Sequence, residues 1–511
     1  MIINTEISDT EYNGFKTKLL KVSYLNKEGK TDFKDFVLMP QELFRWDYAK
    51  QNEIPDKNFK SWDDRPVIKI PLKYTERFPD TRIHEILFNM IQNHPELSEI
   101  YDFVMPELSF CDIEVMVGED GFPLAEEAKN QVNTISWVYG NEVYVLGLCK
   151  LTNEQIHSIQ KRIDKHCEKF ATRYEFTYLY FETEYDMLSY FIEYFVKPAV
   201  AICGWNFLRY DWKYIINRCA LYGIDTKWIS PTGKWTNYSL LKLFNKKTAA
   251  EKVRIPMHKI IFDYMEVYQK WDTAIYPHDS LKLDDVGEAA VKVNKVQHTM
   301  GFNEMWEKAP EDYVFYNAVD SILVREIHNE LKTANIFFSL ANLIHCELMV
   351  AFSPVRSLQT FQTEYIYREN QVFVTEYATE NDEDEVKEKY EGAFVYEPNP
   401  GKFKNVVALD FASLYPTTMR QFNISPDTFI KKDPNYTPKD DEMKTITGAV
   451  YKRDEPGILP RILTDVYNQR KAYKKEMQIA EEEMHELEDI LNNRMKGTQQ
   501  SSQQQSQQQK Q

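Results

Sequence analysis

From Leu108 to about residue 332, strand-like runs alternate with helical stretches, and this restricts that part of the chain to an α/β domain. Its first run is Leu108-Ser-Phe-Cys-Asp-Ile-Glu-Val-Met-Val117, in which Asp112 and Glu114 stand two apart. Residues two apart on a strand share a face, so both carboxylates converge on one point while Ile113 faces the core behind them. Paired hard oxygen ligands suit Mg²⁺ or Mn²⁺. The spacing alone has little specificity, because Asp9/Glu11 and Asp440/Glu442 repeat it in loop-like surroundings where solvated charge is the ordinary reading.

Two further elements stand downstream. In Ile202-Cys-Gly-Trp-Asn-Phe-Leu-Arg-Tyr-Asp-Trp-Lys-Tyr214 an apolar strand runs into a turn at Gly204, and Asp211 begins a helix. In Tyr313-Val-Phe-Tyr-Asn-Ala-Val-Asp-Ser321, Tyr316 and Asp320 are four apart and share a helix face. Each taken alone also fits an N-cap or a surface carboxylate. Asp263, at the end of the strand-like Lys259–Asp263, reads either as a support for the site or as a satisfied structural Asp.

The rest of the chain has a different texture. Residues 1–106 mix short β-like runs (Leu19–Leu25, Phe36–Met39, Val67–Pro71) with a helical stretch near Thr81–Asn93 and show no obvious chemistry. Residues 333–360 read as apolar helix, and the charged run Glu380–Lys389 as a solvated linker. A β-branched strand, Val406–Asp410, opens a second α/β unit, and Pro460 to about Lys496 reads as one long helix. The last fifteen residues, Gly497–Gln511, are almost all Gln and Ser and are expected to be disordered.

Composition excludes some classes. With 62 basic against 79 acidic residues the formal charge is −17, which argues against a protein that coats DNA by neutralising phosphates. An enzyme that gathers carboxylates at metal sites remains compatible with it. Six scattered cysteines form no C-x-x-C pair, so neither a zinc site nor a disulfide framework is indicated. The N-terminus has no signal-peptide core and no apolar run is long enough to span a bilayer, so a cytoplasmic protein without membrane contact is expected.

Taken in order, D-x-E on a strand, N-x-x-x-x-D and Y-N-x-x-D resemble the three motifs of the DnaQ-like 3′→5′ exonucleases. The resemblance implies an RNase H-like domain over 107–332, with Asp112, Glu114, Asp211 and Asp320 holding two metal ions and Tyr316 orienting the attacking water. Phe122, Asn206 and Phe207 become candidates for holding a frayed primer end by stacking or hydrogen bonding, with ordinary packing as the alternative.

Asn405-Val-Val-Ala-Leu-Asp-Phe-Ala-Ser-Leu-Tyr-Pro-Thr417 resembles motif A of the family B DNA polymerases, D-x-x-S-L-Y-P-S, with Thr417 in place of the final Ser. A turn through Phe411–Leu414 would offer successive amides, Ser413 and Leu414 among them, to a triphosphate. The resemblance implies that Asp410 ligates both catalytic metals, that the Phe411 carbonyl adds a ligand, and that Tyr415 lies under the sugar and rejects a 2′-OH. Arg470 and Lys474, four apart on the long helix, match fingers residues that grip the incoming dNTP. Tyr390–Val395, Arg420–Asp427, Gly204–Asn206 and Ser230–Lys234 are similar to the T-even-type phage branch of the family.

The implied architecture is a multi-domain α+β chain. It comprises an N-terminal domain over 1–106 to which 333–382 returns, an exonuclease domain over 107–332, a partial palm over 383–465, a first fingers helix over 466–496, and a disordered tail over 497–511. The family's K-x-x-x-N-S-x-Y-G and D-T-D-S motifs do not occur in this sequence, and one Asp cannot build a two-metal polymerase site. Met477, Ala480, Met484, Leu487 and Leu491 form an apolar stripe on the long helix. The expectation is therefore the N-terminal subunit of a naturally split replicative polymerase, with Mg²⁺ or Mn²⁺ (two ions per active site) as cofactor. Its partners would be primer-template DNA, single-stranded 3′ ends, dNTP and a C-terminal polymerase polypeptide that itself engages a sliding clamp, in the cytoplasm of an infected bacterial host. A stand-alone 3′→5′ exonuclease and a non-catalytic DNA-binding module are the alternatives.

Overall fold

The computed structural model describes residues 1–511 except 74–75, 119–120, 242–250, 272–279, 297–299, 375–395, 412 and 509–511, with side chains described only in part beyond residue 487. The charged run Glu380–Lys389 and the Tyr390–Val395 stretch lie outside the described residues. The chain divides into two compact units, residues 1–44 with 71–364, and residues 45–70 with 365–511.

The first unit begins with an antiparallel meander of β1 (Ile2–Tyr12), β2 (Phe15–Leu25) and β3 (Thr31–Leu38). The β1–β2 turn is Asn13-Gly14, both at positive φ, the pairing that a two-residue hairpin of matching twist requires. Leu20, Val22, Tyr24 and Leu38 bury one face of this sheet against Ile83, Leu87 and Ile91 of helix α1 (Asp80–Asn93).

The centre of the unit is a six-stranded sheet built from β4 (Leu108–Val115), β5 (Val132–Tyr139), β6 (Glu142–Gly147), β7 (Glu175–Tyr180), β8 (Ala201–Gly204) and β9 (Ile260–Asp263). Their order across the sheet is β7-β6-β5-β4-β8-β9. β4, β5 and β6 pair antiparallel, whereas β8 and β9 run parallel to β4. This is the RNase H-like topology, with β7 added at one edge. Both faces of the sheet are covered, as its parallel part requires. Leu108 and Phe110 enter one core with Val314, Ala318 and Ile322 of helix α4 (Pro310–Leu331). Cys111, Ile113 and Val115 enter a second core with Trp212 and Ile215 of helix α2 (Asp211–Leu221). The even-numbered residues of β4, Asp112 and Glu114 among them, therefore face the side on which α4 lies. Helix α3 (Phe302–Lys308) leads through Ala309 directly into α4.

In the second unit, strand Lys60–Ser61 pairs in parallel with Gln371–Val372, and Trp46, Phe59 and Tyr367 stack in a row with ring centroids 5.2 Å apart at each step. Strands Phe429–Lys432, Ala449–Lys452 and Glu442–Lys444 form a small antiparallel sheet. Two helices complete the unit, α5 (Leu414–Gln421) and α6 (Ile458–Gln508). The Arg420–Asp427 stretch has a local structural role here. Asn423 Oδ1, Asp427 and Ser425 Oγ accept the backbone amides of Gly457, Ile458 and Leu459, satisfying donors that the start of α6 leaves open.

One expectation is corrected. Val406–Asp410 forms no strand; it is irregular and exposed, with Leu409 94 % exposed. No neighbouring strand among the described residues takes up its backbone groups, and a lone strand leaves them to water. The helical backbone of α6 runs from Ile458 to Gln508. Gln is a good helix former, and a single Gly costs only about 1 kcal/mol.

Candidate active site

β4 delivers Asp112 and Glu114, and α4 delivers Asp320 opposite them. One oxygen from each of these three carboxylates lies within 4.8 Å of the others. Asn317, one turn before Asp320, donates its amide to Asp112 Oδ2 at 2.7 Å. Asp211, at the first position of α2, accepts the Ile113 amide at 3.0 Å, so it is tied to the peptide between the two β4 carboxylates. It lies beside the group of three, and burial, then the charge of Asp112, raises its pKa.

Close approach of the strands makes this possible. Gly204 ends β8 where a Cβ would stand 2.2 Å from the Cys111 carbonyl, so only glycine fits beside the residue that precedes Asp112. Asp263, at the end of β9, is fully buried and accepts backbone amides of Leu208 at 3.2 Å and Met265 at 3.0 Å, with Asn206 also donating. It holds the turn that carries Asn206 in the left-handed region (φ 60°) and leads into Asp211. Asp263 is therefore the satisfied structural Asp of the two sequence readings.

The electrostatics are those of buried carboxylates that repel one another. Burial pushes the Asp112 carboxyl up to about 7, and the Asp320 charge adds to this. Burial, then Asp112 and Asp320, raise Glu114 well above its ordinary value. Burial also raises Asp320, against the pull of Lys295. Lys295 is the cation that meets the group: its Nζ lies 2.5 Å from Asp320 Oδ2 and 3.3 Å from the Tyr316 hydroxyl. Burial works against its charge, but Asp320, Tyr316 and Asp112 together hold its pKa above the usual lysine value. The sequence did not single it out, since it lies in an irregular segment with no spacing relation to the carboxylates. Asp320 Oδ1 is buried and has no hydrogen-bond partner among the described residues. An acceptor without a donor, among mutually repelling carboxylates, fits the donor set of a hard divalent cation.

The other expected residues divide. Tyr316 lies beside Asp320 as predicted and hydrogen-bonds to it. Phe122 is 57 % exposed and meets the Phe302 ring edge to face at 5.6 Å, and Phe302 meets Tyr316 likewise at 5.6 Å. Phe302, absent from the sequence reading, thus links Phe122 to the site. Phe207 is a correction: it is 1 % exposed and packs near Trp212 in the second core, so it cannot stack on a base. Its position after the Asn206 turn points it inward, beneath α2.

In the second unit Ser413 takes the left-handed conformation (φ 51°) ahead of α5, and its carbonyl accepts the Thr417 amide at 2.9 Å. Ser413 thus leads into the expected helix, while Ala412 of the expected turn lies outside the described residues. Phe411 and Tyr415 are exposed, as are Leu414, Arg470 and Lys474. Among the described residues Asp410 joins no group of metal-ligating side chains.

Comparison with known proteins agrees with this division. The family model for the exonuclease domain of DNA polymerase family B matches residues 74–286, and that for DNA polymerase family B matches residues 359–498. The DNA-directed DNA polymerase of Escherichia phage RB69 is 26 % identical over 416 residues, covering 77 % of this chain and 45 % of that protein. The enzyme of Enterobacteria phage T4 is 24 % identical over 491 residues, covering 89 % of this chain and 52 % of its own length. A DNA polymerase of Archaeoglobus fulgidus is 41 % identical over 90 residues, covering 18 % of this chain and 11 % of its own. The chain belongs to the family B DNA polymerases and carries the family's exonuclease domain. Within that family it is similar to the polymerases of T4-like phages, and it spans about half the length of those two relatives.

Proposed function

We propose that the first unit is a two-metal 3′→5′ exonuclease that trims single-stranded DNA ends, the proofreading part of a replicative DNA polymerase. The observation that carries this reading is the convergence of Asp112, Glu114 and Asp320 with the unpartnered Asp320 Oδ1 between them. Asp112, Glu114, Asp211 and Asp320 would hold Mg²⁺ or Mn²⁺, which when bound lowers the pKa of a water and stabilises the departing 3′ oxygen. The Tyr316 hydroxyl, which accepts from Lys295 at 3.3 Å, would orient that water. Phe122 offers an exposed ring for the terminal base, and Asn206 a polar contact on the same approach.

The second unit contributes part of a nucleotidyl-transfer site. In this reading Asp410 is its first metal ligand, with the Phe411 carbonyl beside it. Ser413 and Leu414 amides meet the triphosphate, Tyr415 meets the sugar, and Arg470 and Lys474 on α6 meet the phosphates. A second carboxylate and the rest of the palm come from further polypeptide, which we take to be a C-terminal partner chain that completes the fingers, binds primer-template DNA and engages a sliding clamp. Met477, Met484 and Leu487 are about half exposed on α6 and would pack against it. No helix among the described residues is long and apolar enough to cross a membrane, and we place the protein in the cytoplasm of an infected bacterium.

Replacing Asp112 and Glu114 together with Ala should abolish Mg²⁺-dependent degradation of single-stranded 3′ ends. Retained degradation would reject the exonuclease assignment. Mixing the chain with a candidate C-terminal polypeptide should restore primer extension. A mixture that extends no better than that polypeptide alone rejects the split-polymerase reading.

A further inference from the structure

We propose that Asn303 is a positioning residue for 3′-end hydrolysis, a role that rests on the exonuclease reading above. Its side-chain amide engages both polar groups of one residue across 186 positions of sequence. Oδ1 accepts the Val117 amide at 2.9 Å, and Nδ2 donates to the Val117 carbonyl at 2.7 Å. Val117 lies just beyond β4, which carries Asp112 and Glu114, and leads toward Phe122. Asn303 lies on α3, next to Phe302 and directly ahead of α4, which carries Tyr316 and Asp320. One side chain thus fastens together the two chain segments that supply opposite halves of the site.

The aromatic wall depends on this clamp more than the carboxylates do. Phe122 is mostly exposed, and its contact with Phe302 is edge to face, a geometry that contributes too little to fix a loop by itself. The loop has other fastenings, but those beyond its own backbone run to β4 or α2 rather than to α3: Gly118 and Gly121 exchange backbone hydrogen bonds at 3.0 and 3.1 Å, the Tyr210 hydroxyl donates to the Pro123 carbonyl at 3.3 Å, Asn217 to the Ala125 carbonyl at 2.8 Å, Asn130 Nδ2 to the Met116 carbonyl at 2.7 Å, and Arg218 reaches the carbonyls of Ala128 and Lys129. Asn303 ties its start to the helix that holds Phe302 by two hydrogen bonds. Asp112 and Glu114, by contrast, are held by the β4–β5 pairing, and Asp112 by Asn317 as well. Loss of the clamp should therefore loosen the wall that receives the terminal base and leave the reacting groups in place.

The test is steady-state hydrolysis of a 5′-labelled single-stranded oligodeoxynucleotide in Mg²⁺ by the full chain. Asn303→Ala should raise KM about ten-fold, the effect of roughly one to two net hydrogen bonds, with kcat within about two-fold of the parent. Because the clamp acts through Phe122, Asn303→Ala/Phe122→Ala should be no worse than Phe122→Ala alone. Asn303→Asp keeps the acceptor for the Val117 amide and loses the donor, so its KM should fall between those of the parent and the Ala variant; it carries the test if the Ala variant fails to fold. An unchanged KM, a loss confined to kcat, or multiplicative effects in the double variant would overturn the positioning role and leave the exonuclease reading standing. A parent chain that releases no nucleotides overturns both.

Discussion

Neutralising one carboxylate of the cluster should stabilise the metal-free protein and inactivate it at the same time. Asp112→Asn is the cleanest perturbation, because an Asn oxygen can still accept the Asn317 amide that Asp112 Oδ2 accepts at 2.7 Å. Burial and Asp320 push the Asp112 carboxyl up to about 7 from 3.8. Between those two values the folded chain holds a proton that the unfolded chain releases, so stability falls as pH rises through this window and the full penalty stands above pH 7. At about 1.4 kcal/mol per pKa unit the penalty is at most ~4 kcal/mol. Partial water access at Asp112 reduces it, so we expect Asp112→Asn to gain about 2–4 kcal/mol at pH 8 in EDTA, a Tm rise of roughly 4–8 °C. The parent should recover this difference on addition of Mg²⁺, since a ligand at a hundred times its Kd contributes about 2.7 kcal/mol, and the variant should respond little. Thermal melts by circular dichroism with EDTA and with Mg²⁺, run beside oligonucleotide hydrolysis, read all of these quantities. A variant that melts below the parent in EDTA, or an equal Mg²⁺ response from both proteins, refutes the account of a cluster of mutually repelling carboxylates.

Two further outcomes follow from the same region. Gly204→Ala places a methyl 2.2 Å from the Cys111 carbonyl, so urea denaturation should show a loss of about 1–3 kcal/mol and hydrolysis should fall with it, because the displaced peptide leads into Asp112. His328 sits under Tyr264 (hydroxyl to Nδ1, 3.1 Å), and burial, with the Arg325 and Lys332 charges, holds its imidazole down to about 4. Between pH 6.5 and 4 the unfolded chain takes up a proton that the folded one refuses, so stability should fall with pH across that window by up to about 3 kcal/mol. His328→Gln should flatten the profile in urea melts at stepped pH.

What the sequence made legible was periodic and local. Asp112 and Glu114 share a face because a strand repeats every two residues, and Tyr316 and Asp320 meet because a helix brings every fourth residue together; both hold in three dimensions. Lys295 could not be read this way, since no periodicity relates it to Asp320 and only the packing of its segment against α4 brings them to 2.5 Å. Phe207 was misread because an aromatic after a turn looks the same facing a ligand or a core, and the choice belongs to Trp212 on the next helix. Val406–Asp410 was misread because β-branched residues describe a capacity to pair, whereas a strand exists only where a neighbour accepts its backbone groups. The three polar side chains of Asn423, Ser425 and Asp427 looked like a family signature; their contacts are those of a cap on a distant helix start.

The sheet order has a consequence for biosynthesis. The cluster joins residues from β4 and the middle of α4, with Asp211 of α2 beside them, and more than two hundred positions separate Asp112 from Asp320. During translation the first two carboxylates leave the ribosome long before the last one exists, and α4 must dock on the face of the sheet toward which they point to deliver it. On the exonuclease reading, a nascent chain would have no complete site until α4 has docked.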